Sequence, residues 1–373
     1  MHILFVTFGE LSFGCRDVRP VAILCALADA GHQIDVVASH STIPDHPHIR
    51  FLTGETTQCI PRRKLRKTTI LTTGLMSYDV IHAVDDAVVW VSRICKIRKI
   101  PLVYDASRCF TSSVGTVPFR FWELFPAHAQ RLEKALLRQA VIILTPSKTL
   151  SVDLKKISPG ASIVQVEDVP LQSFFPKRDI ELSKLVGRFE GEPAAIVVVS
   201  IFPESGVEMN KLLMAVRKVV DVIPQIAFFF KARLSTEAKA AAANLNILGR
   251  CKFFKIDETE EYLAALDIAD AALFIPHVGA RYVNAELFTL LRSPAPVVAV
   301  HDAAYSDLFT ENNSVQVLLN PESIAEGLLR VIQEPLLSIG ISMEGQQLIA
   351  DKYSLSSFKH KIRMAYREVL NNE

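Results

Sequence analysis

The sequence has little of what would mark a metal centre, a disulfide scaffold or a membrane-spanning protein. Its six cysteines, Cys15, Cys25, Cys59, Cys95, Cys109 and Cys251, form no C-x-x-C pair and show no metal-ligand spacing. Several lie in apolar runs, the pattern of buried free thiols in a reducing compartment. No apolar run reaches the length that spans a bilayer. The start, Met1-His-Ile-Leu-Phe-Val-Thr7, is short and leads into polar residues, so it reads as a first β-strand rather than a signal peptide. A cytoplasmic protein is the expectation. Net charge is +1, so the total gives no sign of a nucleic-acid partner. Neither G-x-G-x-x-G nor Asp-x-Asp occurs, so a dinucleotide fingerprint and a metal-carboxylate motif are both unsupported, and no metal or cofactor is expected.

What is present is an ordinary globular composition. Of 373 residues, 50% are hydrophobic and 22% charged, enough chain for two α/β domains with separate cores. Residues 3–7 are a continuous apolar strand, 8–17 a loop with Gly9 and Gly14, 18–30 a helix by spacing, and 34–38 the next strand. This β-loop-α-β unit recurs. Residues 79–83 read as a strand, 86–96 as a helix, 101–105 as a strand, 131–140 as a helix and 141–145 as a strand, with Pro146-Ser147 opening another helix. A polar stretch within 171–192, with Pro176 and Gly191, reads as a linker. Beyond it, strands at 194–200, 225–231, 252–255 and 271–275 alternate with helices at 208–222, 236–245 and 258–266. Helices at 343–352 and 355–369 close the chain. The alternation predicts two doubly wound parallel sheets.

The most informative stretch is 274–300. An apolar strand enters an irregular loop, Pro276-His-Val-Gly-Ala-Arg281-Tyr-Val-Asn284. A short helix, Ala285-Glu286-Leu-Phe-Thr289, follows, then a proline turn and a second strand, Val297-Val-Ala-Val300. A helix N-terminus at the carboxyl end of a strand is where α/β proteins bind phosphorylated ligands. This layout resembles the donor-sugar site of GT-B glycosyltransferases of the family-4-like group. So does Asp79-Val-Ile-His-Ala-Val84-Asp85-Asp86, with Pro101-Leu-Val-Tyr-Asp105 after it, and so do Leu132-Glu133 and Ser147.

The resemblance implies a GT-B fold, with two Rossmann-like domains whose parallel sheets face a central cleft. The acceptor side would be 1–175, the nucleotide-sugar side 190–350, and a last helix, 353–373, would pack back toward the first domain. It implies retaining transfer from a nucleotide-sugar to a glycan or lipid-linked acceptor. The alternative is an inactive GT-B protein that serves as a binding module or as partner to an active transferase. Gly14 and Arg16 in the first loop, with Arg19 beside them, and Asp105 and Arg108 after their strand, are the acceptor-side candidates. Asp85 and Asp86 are the catalytic candidates, because a carboxylate there can hydrogen-bond or deprotonate an acceptor hydroxyl. Asp86 reads equally as a cap of the following helix, and His82 as structural. On the donor side stand Ser200, Lys231, Arg233, Arg281, Asn284, Glu286 and Thr289. Four positions depart from the family pattern: Val84 replaces a histidine, Ile201 an arginine, Ser205 a lysine and Thr289 a glutamate. Glu286, on an adjacent part of the same helix face, is the candidate to take over from that glutamate.

Two surface features stand apart. Residues 61–67 carry Arg62, Arg63, Lys64, Arg66 and Lys67, and Phe119, Phe121, Trp122 and Phe125 cluster close to Arg120. They read either as peripheral contact with the inner face of a membrane or as a solvated loop and a partly buried aromatic helix.

Overall fold

The computed structural model describes residues 1–12, 18–43, 45–53, 59–109, 126–175, 192–200, 206–231, 235–254, 259–276 and 285–371, with Leu185, Gly187 and Phe189. They fall into two compact units. One takes in Met1–Asp168 and Leu355–Glu373, the other Val169–Arg281 and Ala285–Ser354.

The first unit runs β1 (His2–Val6), β2 (Glu10–Leu11), α1 (Arg19–Asp29), β3 (Gln33–Val37), β4 (His40–Ser41), β5 (Ile49–Phe51), α2 (Arg62–Leu75), β6 (Val80–Val84), α3 (Val88–Arg98), β7 (Leu102–Asp105), α4 (Pro126–Gln139), β8 (Ile142–Thr145), α5 (Lys148–Ile157) and β9 (Ile163–Gln165). Seven strands form a parallel sheet in the order β5-β3-β1-β6-β7-β8-β9, and β2 pairs with β4 apart from it. Ile3, Leu4, Phe5 and Val6 are all fully buried, as a strand with helices on both faces requires. Ser147 caps α5, its Oγ accepting from Leu150 N at 3.3 Å.

The second unit runs β10 (Ala195–Ser200), α6 (Gly206–Val222), β11 (Ile226–Lys231), α7 (Thr236–Asn244), β12 (Cys251–Phe254), α8 (Thr259–Ile268), β13 (Ala271–Phe274), α9 (Ala285–Arg292), β14 (Val297–Val300), β15 (Val315–Val317), α10 (Pro321–Gln333) and α11 (Pro335–Lys352). Its six parallel strands lie in the order β12-β11-β10-β13-β14-β15. Both sheets reverse strand order beside their first strand, between β1 and β6 and between β10 and β13. That is the topological switch point of a doubly wound sheet, where ligands bind at the carboxyl ends. α10 starts at Asn320, whose Oδ1 accepts from Ser323 N at 2.8 Å, with Pro321 in its first turn. It buries Ile324, Leu328 and Val331.

The last helix, α12 (Leu355–Asn371), belongs to the first unit. It buries Phe358, Ile362, Tyr366 and Val369 along one face against α1.

The predicted pair of doubly wound parallel sheets is present, with strand ends within a residue or two of those read from the sequence. The basic run is different: 61–67 opens a helix of 14 residues, α2, rather than a loop. The cluster from Phe119 to Phe125 lies outside the described residues. No helix among those described is long and apolar enough to cross a membrane.

Candidate functional site

In the first unit the chain leaves β6 through Asp85, which adopts φ 46°. A non-glycine residue in the left-handed region is uncommon, and aspartate is among the few types that tolerate it. The turn throws the Asp85 carboxylate toward the end of β7. There Oδ1 accepts from Ser107 N at 3.0 Å and Oδ2 from the Ser107 hydroxyl at 2.6 Å. Burial raises the Asp85 pKa, while the charge of Arg108 and the Ser107 hydrogen bonds pull it back. Asp85 is thus a carboxylate at the switch point, fixed by Ser107 and with its pKa raised by burial. Arg108 stands near enough to act on it electrostatically.

Asp86 does not cap α3. No side chain caps that helix. Asp86 is nearly buried and forms an ion pair with Arg62 at 2.8 Å.

Asp105 and Arg19 are corrected by the structure. Both are enclosed, at 0% and 2% exposure. Arg19 Nε donates to Asp105 Oδ1 at 2.9 Å, and Nη1 donates to Asp168 Oδ1 at 2.8 Å and to the Val166 carbonyl at 2.6 Å. Burial alone would lower the Arg19 pKa, but Asp105 and Asp168 outweigh it and raise it. Burial raises Asp105 to about 6 against the pull of Arg19. Neither side chain is open to an acceptor or an anion. They lock α1 to the ends of β7 and β9. Next to them His82 is fully buried, stacks on Phe5 at 4.6 Å and shares a 2.7 Å hydrogen bond with the Tyr366 hydroxyl. Burial, helped by the charge of Arg19, drives the His82 pKa down to about 3. His82 is therefore a neutral structural residue, as the sequence suggested. Gly14 and Arg16 lie outside the described residues.

The second unit brings a different group together at its sheet end. Lys231, the last residue of β11, meets Glu286 in the first turn of α9, with Nζ 3.4 Å from Oε1. The same ammonium sits 4.3 Å from the ring centroid of Tyr262 on α8. The Tyr262 hydroxyl in turn hydrogen-bonds Ser200 Oγ at 2.6 Å, at the end of β10. Lys231 and Glu286 keep 14% and 20% of their side chains exposed, whereas Ser200 and Tyr262 have none. Ser200 thus holds Tyr262, and Tyr262 supports the lysine. Sequence reasoning did not single out Tyr262. Its only signal is one aromatic residue within an otherwise ordinary helix.

Thr289 is also corrected. It is fully buried. Its hydroxyl donates to the Ala285 carbonyl and accepts from Leu171 N, both at 2.8 Å, while Gln172 Nε2 donates to the Thr289 carbonyl at 3.1 Å. Arg292 adds a 3.0 Å bond to Ser173 Oγ. Thr289 therefore clamps the segment that begins the second unit onto α9 and offers nothing to a ligand. Elsewhere on α9, Glu286 keeps part of its side chain exposed and pairs with Lys231. Arg233, Arg281 and Asn284 lie outside the described residues, as do Ile201 and Ser205. Val84 is buried at the end of β6. Among the described residues no group of three or more His, Cys, Asp or Glu is placed to hold a metal ion.

No protein-family model and no curated protein matches the sequence. Solved structures do match in three dimensions. A sucrose-phosphate synthase from Thermosynechococcus elongatus superposes with a TM-score of 0.70 at 14% identity over 100% of both chains. WaaG, a glycosyltransferase involved in lipopolysaccharide biosynthesis, gives 0.67 at 15% identity over 96% of this chain and 98% of its own. A UDP-N-acetylglucosamine 2-epimerase gives 0.58 at 12% identity over 95% of each. At these identities the likeness is one of fold, and the fold is GT-B.

Proposed function

We propose that this chain is a glycosyltransferase that moves a sugar from a nucleotide-activated donor to an acceptor hydroxyl, with retention of configuration. The observation that carries the reading is the Lys231–Glu286 pair, 3.4 Å apart at the carboxyl end of a sheet in Rossmann strand order. A diphosphate asks for a cation and vicinal ribose hydroxyls ask for a charged acceptor, and this site presents one of each on rigid elements. In this reading the C1–O bond to the diphosphate breaks, with its electron pair going to the leaving oxygen. Lys231 neutralises that charge, with Arg233 and Arg281 as further candidate cations and the backbone at Asn284 as a further phosphate donor. No metal ion is invoked. The acceptor oxygen bonds to C1 on the face the diphosphate leaves, and its proton passes to the departing phosphate oxygen. The acceptor belongs to the glycan or lipid-linked glycan class.

The test is binding and turnover across UDP-, GDP- and ADP-sugars. One donor class should raise the melting temperature. Lys231→Met and Glu286→Gln should each weaken that donor by roughly ten- to a hundred-fold, as loss of a charge-assisted hydrogen bond does. No response to any donor overturns the reading. A donor sugar whose configuration changes at C2 with no acceptor present would reassign the site to epimerisation. Donor binding without transfer to any acceptor extract would leave a binding module.

A further inference from the structure

Charge balances over the whole chain, with 41 Lys and Arg against 40 Asp and Glu, but not over α2 and α3. α2 carries five cations and no acid, and α3 carries three cations and no acid. The two helices pack side by side. The Arg66 guanidinium lies 3.3 Å from the centre of the Trp90 ring, and Gly74 comes close to Arg98. On α2, Leu65, Thr69 and Thr73 face inward. The opposite stripe runs through Arg63, Lys64 and Lys67 and then Ile70, Leu71 and Leu75, all exposed. Leu75 is 85% exposed, and Ile97 on the adjoining α3 is 68% exposed among Lys96, Arg98 and Lys99.

We propose that the α2–α3 face is a docking surface for an anionic lipid bilayer, which it meets with α2 lying along the surface. Three features select that partner. The net positive field attracts anionic headgroups. Bare aliphatic side chains beside the cations gain nothing from a phosphate backbone, but they do gain from leaving water among acyl chains. Trp90, 40% exposed at the join of the helices, has the amphipathic ring that settles at headgroup level. Of the five cations in 61–67, Arg62 and Arg66 are engaged by Asp86 and Trp90. The contact therefore falls to Arg63, Lys64 and Lys67, with the cations of α3 and the four exposed aliphatics.

The experiment is co-sedimentation of the full chain with vesicles of phosphatidylcholine alone and of phosphatidylcholine mixed with phosphatidylglycerol. The protein should bind the anionic vesicles only, and less as salt rises. Lys64→Gln and Lys67→Gln should each reduce partitioning about fivefold, the effect of one surface cation. Leu71→Ser and Leu75→Ser should reduce it at high salt as well, where electrostatic attraction is screened. Lys352→Gln, on an exposed position of α11, should change nothing. All these side chains are exposed, so the melting temperature should hold. Equal binding to neutral vesicles, no binding to either, or tighter binding to single-stranded RNA or an acidic peptide would overturn the proposal. The proposal stands apart from the Lys231–Glu286 reading, because these variants should leave nucleotide-sugar binding untouched.

Discussion

Thr289 shows how one residue changes meaning between the sequence and the structure. By alignment of motifs it is a neutral stand-in for a ligand-binding glutamate. In the fold its hydroxyl is spent twice, on the Ala285 carbonyl and on Leu171 N. Thr289→Val keeps the shape, removes the hydroxyl and leaves a buried N–H without a partner. It should destabilise the protein by about 1–3 kcal/mol, read from denaturant unfolding, and leave donor affinity unchanged. Weakened donor binding at unchanged stability would return Thr289 to the ligand site. Thr289→Glu, the change that family pattern would suggest as a repair, should instead harm folding, because it forces a charge into an enclosed space. Glu286 could be singled out from the sequence because it lies three residues earlier on the same helix. Its partner Lys231 was legible only as a nearby cation, since pairing across the end of a sheet leaves no mark in local sequence.

At the scale of elements, what could be read depended on which residues build the buried stripe. Strands such as β1 and β10 are continuous apolar runs and announce themselves. α2 does not, because its inward stripe is Leu65, Thr69 and Thr73, and two threonines give no apolar period. They tolerate burial because their hydroxyls donate to the carbonyls four residues back, Leu65 and Thr69. α11 was read only from 343 because its earlier turns are apolar on several sides and show no clear face. Its packing on α9 depends on a close approach that only the structure reveals. A Cβ on Gly345 would lie 2.9 Å from the Leu291 carbonyl oxygen, whereas one on Gly340 would meet nothing within 4 Å. The two glycines of one helix should therefore answer alanine with opposite signs. Gly340→Ala should stabilise by about 0.5–1 kcal/mol through helix propensity. Gly345→Ala should destabilise by about 1–3 kcal/mol, because it pushes α11 off α9. Thermal or urea unfolding of the pair checks this, and like signs would contradict the packing described.

At the scale of the whole molecule, α12 is part of the first unit although it is the last element of the chain. Lys359 pairs with Asp29 at 2.7 Å, Lys361 pairs with Glu167, and the Tyr366 hydroxyl meets His82. The last contact gives the fold a pH dependence whose sign can be worked out. His82 has a folded pKa of about 3 against an ordinary value of 6.5. Below 6.5 the unfolded chain binds a proton at this position that the folded one refuses. The stability His82 contributes is therefore complete above pH 6.5 and is lost as pH falls toward 3. Asp105 works in the opposite sense. Its folded pKa, raised from 3.8 to about 6, gives stability that is present at acid pH and lost as pH rises through 6. Between pH 4 and 6 the two slopes oppose each other, so the wild-type protein masks both. His82→Phe unmasks them. At pH 7 the variant should be less stable than wild type by about 1–3 kcal/mol, because the buried Tyr366 hydroxyl loses its partner. Below pH 6.5 that deficit should shrink by about 1.4 kcal/mol per pH unit and reverse before pH 4. Paired urea titrations at several pH values measure the difference directly, with the titration of the other carboxylates cancelling between the two proteins. A deficit that stays constant from pH 7 to pH 4 would mean that His82 titrates normally in the fold and is not the enclosed neutral partner of Tyr366.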